Sequence, residues 1–458
     1  MRFLAIDIGS SFLKGAVLDL DRLSIEHVSR EAFPEPRTGL APGRFEVDPV
    51  ATLAAAQRLL EKLLSHAPDA AEVVTSTQMG GLLFCDAQGQ PLGNYISWRD
   101  QRASWQDEGS VDSSFARFAA QLGEPDALAL GRDVKPGYMT SLLYWFVERG
   151  ELPRVPALPM SIGDFVIARL CSSSPIAHPT AACGAVDVGS RTWRSDAWGR
   201  LGMGRLLWPN IGHFTDVVGE WKAGGRKLPC YPALGDHACA LAGVALEEGE
   251  LSLNISTGSQ VSQLTSEFRS GAYQTRPYLD DRFLNTITHI PAGRALNTLV
   301  DLCTEMARLQ GLAVADPWPW LVRAAEAASD SELEVDLSFF PGPLGDQGQI
   351  TGITTENLGI GSLFRAAFRA MARNYATLAN RLSPEQRWSR LVFSGGLAQN
   401  LEILRRMIRE QIPGECRVCP ETEDTLRGLL VTALVIAGRA SNVIEATRQI
   451  AAAPSHFL

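Results

Sequence analysis

The sequence predicts an α/β protein made of two domains. Its 458 residues are more than one ordinary hydrophobic core accommodates, and chains of this length divide into two or three domains. Short apolar runs typical of buried strands alternate with segments of helical periodicity, which is the pattern of an α/β fold. Two strand-turn-strand units, at 2–20 and 251–264, share one plan and suggest a duplicated architecture with a cleft between its halves.

The first half opens with a predicted hairpin. Residues 2–8 form an apolar run with the carboxylate of Asp7 near its end, a turn follows at 9–11, and residues 13–20 return as a second strand. The elements expected after this hairpin are a helix over 50–65, a strand over 71–77 that leads into Gln78-Met79-Gly80-Gly81, and helices over 141–150 and 158–171.

A stretch rich in glycine and proline, at 223–235, predicts the boundary between the domains. We therefore expect an N-terminal domain over 1–230, a C-terminal domain over 231–440 and a C-terminal tail over 441–458. Asp236 follows the boundary and is expected to be the N-cap of an apolar helix. The other elements predicted in this half are the second hairpin, helices over 362–382, 398–410 and 424–438, and a buried strand over 391–393.

Composition and charge indicate a small-molecule partner. Hydrophobic residues make up 45% and charged residues 20% of the chain, which suits a globular protein with a large core. The net charge of -9 argues against binding nucleic acid or an anionic membrane, because both need clustered lysine and arginine. The N-terminus reads as a strand rather than a signal peptide, and no run approaches the roughly 18 apolar residues of a membrane span. We expect a cytoplasmic protein.

The eight cysteines are scattered through apolar surroundings and predict buried thiols rather than a disulfide framework. Cys416 and Cys419 form one C-x-x-C pair. Because neither a second pair nor a suitably spaced histidine accompanies it, a zinc or redox role is the minor alternative.

The first hairpin carries groups suited to phosphoryl transfer, which needs hydrogen-bond donors for the phosphates, a metal ion and a base near the acceptor. Asp7 is suited to hold Mg²⁺ through water. Gly9, Ser10 and Ser11 supply N–H and hydroxyl groups, and Lys14 follows on the returning strand within reach of a phosphate. The alternative is an ordinary hairpin turn.

Asp236 has two compatible interpretations, a helix cap and a general base for a substrate hydroxyl. The turn at Thr257, Gly258 and Ser259 is a second candidate phosphate site. Both signals are weak when taken alone, since caps and small-residue turns are common.

Two further segments are candidate ligand sites. The junction at Gly395 and Gly396, continuing to Asn400, lets the backbone pass close to a nucleotide and presents an amide. The segment 98–102, Trp-Arg-Asp-Gln-Arg, sets an aromatic plate beside a carboxylate and two guanidinium groups, a combination suited to a polyol. A Gly-Gly turn of no function and an exposed charged loop are the respective alternatives.

Taken in order, these motifs resemble those of the FGGY carbohydrate kinases, members of the actin-like ATPase superfamily. The matching segments cover nearly the whole chain and are AIDIGSSFLK, STQMGG, WRDQR, SLLYW, DFVIARL, ALGDHACALAG, NISTGSQVS, FSGGLAQN and EDTLRGLLVTAL. The resemblance implies two actin-like (ribonuclease H-like) ATPase domains flanking a central cleft. It also implies an enzyme, a phosphotransferase that moves the γ-phosphoryl group of Mg-ATP onto a sugar hydroxyl.

The resemblance also implies roles for individual residues. The residues implied to bind the nucleotide or its phosphates are Asp7, Gly9, Ser10, Ser11, Lys14, Thr257, Gly258, Ser259, Gly395, Gly396 and Asn400. The residues implied to contact the acceptor are Gln78, Met79, Gly80, Trp98, Asp100 and Asp236, with Asp236 as the catalytic base. Gly80 stands where ketose-specific members often carry histidine, so one hydrogen bond to the sugar is missing or comes from another group.

Within the family, the stretches NISTGSQVSQL and TRPYLDDRFL look most similar to sedoheptulokinases, and xylulokinase-type enzymes come next. We therefore expect a ketose kinase whose partners are ATP, Mg²⁺ and a small sugar, with homodimer formation left open. The alternatives are a catalytically silent, nucleotide-dependent sugar sensor or scaffold and, more distantly, a phosphatase-like member of the superfamily.

Overall fold

The computed structural model describes residues 1–106, 109–420 and 423–452. The strands are β1 (Arg2–Ile8), β2 (Phe12–Asp19), β3 (Ser24–Ala32), β4 (Glu46–Val47), β5 (Glu72–Thr77), β6 (Leu83–Cys85), β7 (Tyr95–Ile96), β8 (Leu158–Met160), β9 (Ile176–Ala177), β10 (Asn210–Ile211), β11 (Gly219–Ala223), β12 (Arg226–Cys230), β13 (Leu234–Gly235), β14 (Glu250–Ile255), β15 (Ser259–Thr265), β16 (Gln274–Pro277), β17 (Phe283–Ile290), β18 (Glu334–Asp336), β19 (Gln349–Thr351), β20 (Arg390–Ser394) and β21 (Glu415–Val418). The helices are α1 (Pro49–His66), α2 (Ser114–Ala129), α3 (Met139–Glu148), α4 (Ile162–Cys171), α5 (Ser195–Arg200), α6 (Asp236–Gly243), α7 (Gly293–Leu309), α8 (Trp318–Ala327), α9 (Ile360–Leu382), α10 (Gly396–Asn400), α11 (Glu402–Gln411), α12 (Asp424–Ile436) and α13 (Val443–Ala452).

The first half of the chain builds one large mixed sheet. Its strand order is β11-β12-β5-β1-β2-β3, with β13 also paired to β5. Strand β1 runs antiparallel to β2 and parallel to β5, and β13 also runs parallel to β5. The carboxyl ends of β1, β5 and β13 therefore lie together at one edge, where ligands bind in open α/β sheets.

The second half repeats this plan. Its sheet has the order β16-β17-β15-β14-β20-β21. Here β14 runs antiparallel to β15 and parallel to β20, just as β1 does with β2 and β5. The duplicated architecture predicted from the two hairpins is confirmed at the level of strand pairing.

Helices α6 and α12 pack between the two sheets and share one hydrophobic core with β1 and β15. Their backbones approach closely at two glycines. A Cβ on Gly243 would lie 1.8 Å from the carbonyl oxygen of Asp424, and a Cβ on Gly428 would lie 1.9 Å from that of Cys239. Only glycine fits at these contacts, which set the position of α6 and of Asp236 at its start.

The predicted elements are confirmed with some differences. Residues 158–160 form β8 instead of starting a helix, because Ser161 caps α4 in a reciprocal capping box with Asp164. The helix expected over 398–410 is divided into α10 and α11 at Leu401, whose φ and ψ of -106° and 84° are not helical.

Two further expectations are corrected around the second half. Gly235 is the N-cap of α6, and Asp236 is its first helical residue rather than the cap. Within the segment expected to be a tail, α13 packs against α12 and α6 and buries Val443, Ala446 and Ile450. These buried residues follow the three- to four-residue spacing of a helix, which the prediction of a tail overlooked.

Over the described ranges, none of the helices has the length and apolar character needed to cross a membrane. Within those ranges, the cysteines at 85, 171, 183, 230, 239, 303 and 416 are free thiols. Those at 85, 183, 230, 239 and 419 are buried as predicted, whereas those at 171, 303 and 416 are half-buried.

Candidate active site

Three strand ends bring the first set of predicted site residues together. Asp7 of β1 is directly paired with Ser76 of β5, and Ser76 is paired in turn with Leu234 of β13. Asp236 follows β13 directly, so the two carboxylates belong to strand ends separated by two sheet spacings, about 10 Å. The strand pairing thus places Asp7 and Asp236 at the same edge of the first sheet.

Asp7 is nearly buried, with 6% of its surface exposed. The hydroxyl of Ser76 donates a hydrogen bond of 2.8 Å to its Oδ1. Burial raises the pKa of Asp7, and the Ser76 hydrogen bond and the positive charge of Lys14 oppose that shift. Its other oxygen, Oδ2, accepts no hydrogen bond from the part of the chain that the structure describes.

Asp236 has a pKa raised to about 7, first by burial and then by the negative charge of Asp7. The backbone N–H of His237 donates to Asp236 Oδ1 at 2.7 Å and, with the charge of Arg276, limits the shift. A carboxylate with a pKa near neutrality is suited to accept a proton and release it again. Residues 7 and 236 therefore interact electrostatically across the cleft.

The turn after β1 meets the segment 98–102 directly. Arg99 Nη2 donates to the hydroxyl oxygens of Ser10 and Ser11 at 3.0 and 3.1 Å. Its guanidinium also lies 5.3 Å from the centre of the Phe45 ring and 5.8 Å from that of Trp98. The candidate phosphate turn and the candidate sugar loop are thus in direct contact.

Lys14 has a different environment from the one predicted. Its Nζ lies 2.9 Å from Oε2 of Glu423, which also pairs with Arg30. The side chain of Lys14 is 29% exposed and that of Glu423 is 15% exposed. Lys14 keeps its position beside Asp7, but its charge is shared with a carboxylate from the second half of the chain.

Gln78 and the glycines after it shape the acceptor side. Gln78 is 2% exposed, and its Nε2 donates weakly to the carbonyl of Gly9 at 3.4 Å. Its Oε1 is buried without a hydrogen-bond partner in the described part of the chain. A buried amide oxygen of this kind is a candidate acceptor for a sugar hydroxyl. Met79 lies beside Gly235, next to Asp236.

The crowding around Gly80 explains why no larger residue stands there. Its φ is +81°, and a Cβ would lie 3.0 Å from Tyr138 Cδ1 and 3.2 Å from Trp98 Cβ. The hydroxyl of Tyr95 donates to the Gly80 carbonyl at 3.3 Å. Tyr138 and Trp98 therefore fill the space in which ketose-specific relatives were expected to place histidine.

Asp100 does not face the cleft. It is completely buried, its Oδ1 accepts from the backbone and Nε of Arg102, and its Oδ2 accepts from Arg102 Nη2 and the N–H of Phe45. All of its acceptor positions are used inside the protein. In this conformation Asp100 has no surface to offer an acceptor, whereas Trp98 is 39% exposed.

A buried polar network next to Asp236 was missed from the sequence. Arg276 on β16 bonds to Asp133, to the hydroxyl of Tyr138 at 3.1 Å and to Nδ1 of His237 at 2.8 Å. Lys135 Nζ donates to Thr288 Oγ1 at 2.7 Å, and burial lowers its pKa to about 8. These partners are far apart in sequence, so no local pattern signals the network.

The second hairpin exposes only part of the predicted phosphate turn. Thr257 and Gly258 are exposed at its tip, whereas the Ser259 hydroxyl points inward, 2.7 Å from Tyr375 Oη. The N–H groups of Gly293 and Arg294 at the start of α7 bond to the carbonyls of residues 256 and 257. Ser259 thus supports the turn rather than facing the cleft.

A cavity of about 690 Å³ opens beside this turn. Its lining includes the predicted residues Thr257, Gly396 and Asn400 and also residues that sequence reasoning missed; the complete lining is Ser256, Thr257, Gly293, Asn297, Asp316, Trp318, Pro319, Val322, Gly396, Leu397, Asn400 and Leu401. Gly395, which precedes the lining residue Gly396, has φ +86°. A Cβ at this position would lie 2.6 Å from the carbonyl oxygen of Ile255. The volume and the mixed polar and aromatic lining suit a nucleoside.

The oxygen donors at the cleft fit a hydrated magnesium ion. Across the described residues there is no cluster of three or more His, Cys, Asp or Glu side chains arranged to hold a metal. Mg²⁺ does not require such a cluster, because it keeps several waters and takes one or two carboxylates together with phosphate oxygens. Asp7, whose Oδ2 accepts no hydrogen bond from the described residues, would hold the ion through water.

Comparison with known proteins agrees with this geometry. Residues 2–228 match the profile described as "FGGY family of carbohydrate kinases, N-terminal domain". The chain is 25% identical over 262 residues to the glycerol kinase of Cereibacter sphaeroides (strain KD131), covering 53% of this chain and 50% of that one. The chain therefore spans about half the length of the curated relatives it matches.

Solved structures resemble nearly the whole fold. The xylulose kinase from Lactobacillus acidophilus superposes with a TM-score of 0.82 at 17% identity, covering 98% of this chain and 91% of that chain. The glycerol kinase from Plasmodium falciparum, solved with ADP, gives a TM-score of 0.81 at 17% identity, covering 98% and 92%.

The duplicated sheets and the cleft between them define the two-domain fold of the actin-like ATPases. Residues 2–228, just under half of this chain, match the N-terminal domain of the FGGY family of carbohydrate kinases.

Proposed function

We propose that this protein is an ATP-dependent carbohydrate kinase that transfers the γ-phosphoryl group of Mg-ATP to a sugar hydroxyl. The observation that supports this most directly is the pair Asp7 and Asp236. One carboxylate beside a phosphate-type turn and another with a pKa raised to about 7 lie at the same edge of the first sheet. These are the groups that phosphoryl transfer to an alcohol requires.

Each half of the cleft supplies a different part of the proposed reaction. The cavity beside Thr257, Gly396 and Asn400 holds the adenosine, and the N–H groups of the turn at 9–11 approach the phosphates. Asp236 accepts the proton of the acceptor hydroxyl as the oxygen attacks phosphorus. Mg²⁺, when bound near Asp7, spreads the charge of the phosphate oxygens.

The acceptor proposed is a ketose, with a sedoheptulose-like sugar favoured and xylulose or another pentulose next. The buried Oε1 of Gln78 and the exposed face of Trp98 support a polyhydroxylated ligand. Gly80 provides no side chain for a sugar hydroxyl, so the amide of Gln78 is the nearest predicted group that can replace a histidine contact. The preference for a seven-carbon sugar rests on sequence resemblance in the second hairpin.

The test is a coupled assay of ADP release with Mg-ATP and sedoheptulose, xylulose, ribulose, glycerol or gluconate. We expect strong acceptor-dependent release with one ketose, and its loss in Asp236→Asn. Equal ADP release with and without every acceptor would instead favour phosphatase-like hydrolysis. Turnover of glycerol alone would overturn the ketose assignment, and folded protein that binds Mg-ATP without any release would favour the silent sensor.

A further inference from the structure

The cation positioned at the phosphate turn is Arg99, not Lys14. Arg99 Nη2 lies 3.0 Å from Ser10 Oγ and 3.1 Å from Ser11 Oγ, at the tip of the β1–β2 hairpin. The ammonium of Lys14 is paired with Glu423 at 2.9 Å. Within the described ranges no carboxylate pairs with the Arg99 guanidinium, which is half-buried and lies near the Phe45 and Trp98 rings.

An unpaired arginine in this setting is suited to an anion. Two serine hydroxyls are neutral and accept only part of the five N–H donors of a guanidinium. A phosphoryl group offers planar pairs of oxygens that match the guanidinium fork, and such charge-assisted bonds are about twice as strong as neutral ones. The two aromatic rings near the guanidinium restrict its motion, which reduces the entropy lost on binding.

The position of Arg99 relative to the base supports the same conclusion. The buried hydroxyl of Tyr95 has its pKa raised by burial and by Asp236, and lowered by Arg99. Both charged groups therefore act on one tyrosine, whose hydroxyl donates to the Gly80 carbonyl on the acceptor side. Arg99 lies between the phosphate turn and the residues expected around the acceptor.

We propose that Arg99 binds the γ-phosphoryl group of ATP and stabilises its negative charge during transfer. This inference rests on the proposed kinase function. The guanidinium exchanges its serine partners for phosphoryl oxygens when Mg-ATP binds, while phosphorus passes from the β-phosphate oxygen to the acceptor oxygen and Asp236 takes the acceptor proton. Because Arg99 and Trp98 are neighbours in sequence, one segment positions the transferred group against the acceptor.

Binding measurements test the contact without any acceptor. The affinities of wild type, Arg99→Gln and Arg99→Lys for Mg-AMP-PNP and for Mg-ADP are measured by titration calorimetry. We expect Arg99→Gln to weaken Mg-AMP-PNP by about tenfold to a hundredfold, the scale of a hydrogen bond to a charged group, with Mg-ADP unchanged. Arg99→Lys keeps the charge and should recover part of the loss. Equal weakening of both nucleotides, or no weakening of either, overturns the proposal.

Kinetics separate this role from acceptor binding and from a merely structural one. With the best acceptor, Arg99→Gln should lower kcat by about 10²-fold or more, as for loss of one preorganised group that stabilises transition-state charge. The KM for the acceptor should change little. The matched control is Arg44→Gln, an exposed arginine on an adjacent loop whose guanidinium lies 5.2 Å from the Trp145 ring.

The kinetic outcomes also distinguish the two proposals. A raised acceptor KM with unchanged kcat would assign Arg99 to the acceptor and overturn its phosphoryl role. Wild-type protein without turnover of any acceptor would reject the kinase function, whereas the loss of γ-phosphate-dependent binding in Arg99→Gln would still support the contact itself.

Discussion

Arg276 Nε donates to Asp133 Oδ2 at 2.7 Å, and its Nη2 donates to Oδ1 at 3.3 Å. Both side chains are almost completely buried, and they join β16 of the second sheet to the loop that follows α2 in the first half. The adjoining backbone bond runs from Thr275 N to the Gly131 carbonyl. A fixed connection therefore lies next to His237 and the start of α6, on which the position of Asp236 depends.

We predict that Arg276→Met lowers the free energy of unfolding by about 3–5 kcal/mol, because it leaves the Asp133 carboxylate buried without its partner. The change is measured by urea and thermal denaturation. Arg308→Met is the matched control, since Arg308 pairs with Asp301 on an exposed surface. An effect of Arg276→Met no larger than that control, about 0.5 kcal/mol or less, would contradict the structural role.

The activity of the wild-type protein should depend on one ionisation near neutrality. Asp236 has a pKa raised to about 7 and acts only as the carboxylate, so kcat/KM should fall about tenfold per pH unit below that value. In Asp236→Asn we expect turnover lower by roughly 10²–10⁴, without the acid limb and with nucleotide binding preserved. Asp346→Asn, at an exposed position, serves as the control. Full activity in Asp236→Asn would exclude it as the base.

The same substitution should stabilise the fold in a pH-dependent way. The folded state holds the Asp236 proton more tightly than the unfolded chain, whose pKa is near 3.8, so wild-type stability decreases as the pH rises toward about 7. Asp236→Asn removes this penalty. We expect it to be more stable than wild type by about 1–2 kcal/mol at pH 8, after allowance for solvent screening, and nearly equal at pH 4. A stability difference that does not change with pH would contradict the assigned ionisation.

Replacing Gly80 by histidine should destabilise the folded protein for steric reasons. Gly80→His would place a Cβ at φ +81° within 3.0 Å of Tyr138 and 3.2 Å of Trp98, so we expect a loss of about 2–4 kcal/mol in unfolding free energy. Gly39→His is the control for backbone strain, because Gly39 has φ +76° and no atoms within 4 Å of its Cβ position. The difference between the two variants is therefore the cost of steric crowding at position 80. Thermal melting of both variants measures the difference; equal losses would show that backbone strain alone is responsible.

The cavity residue Trp318 should contribute to nucleotide affinity. We predict that Trp318→Ala weakens ADP binding by about tenfold, the loss expected for one aromatic contact. The acceptor KM should not change. Trp320→Ala on the same helix is the control, because Trp320 is 52% exposed and does not line the cavity. Unchanged ADP affinity in Trp318→Ala would place the nucleoside elsewhere.

Much of the fold was predictable because it depends on local signals. The first hairpin, α1 and β5 have strong periodicity and turn chemistry, and the repeat of the hairpin in the second half indicated duplication. The strand at 158–160 was missed because the capping box that starts α4 after it involves only a few residues. The division of the helix at Leu401 was missed because it depends on one non-helical residue.

The site was predicted less completely. Motif order predicted roles for Asp7, Asp236 and Trp98. The structure brings Asp7 and Asp236 to one sheet edge, and Trp98 precedes Arg99, which contacts the turn after β1. Local sequence suggested that Asp100 and Ser259 were available for ligands, but tertiary partners occupy both side chains. The pairing of Lys14 with Glu423 also could not be read from sequence, because 409 residues separate them along the chain.

The sequence by itself determined the α/β class, the repeated hairpin plan and the carboxylates that follow particular strands, because periodicity and turn residues act over a few neighbours. Only the tertiary structure decided which of these side chains remain available to a ligand and which form hydrogen bonds or ion pairs inside the protein. Burial and charge pairing depend on residues that are distant in the chain, and these set the pKa of Asp236 and leave Arg99 rather than Lys14 without a carboxylate partner in the described residues.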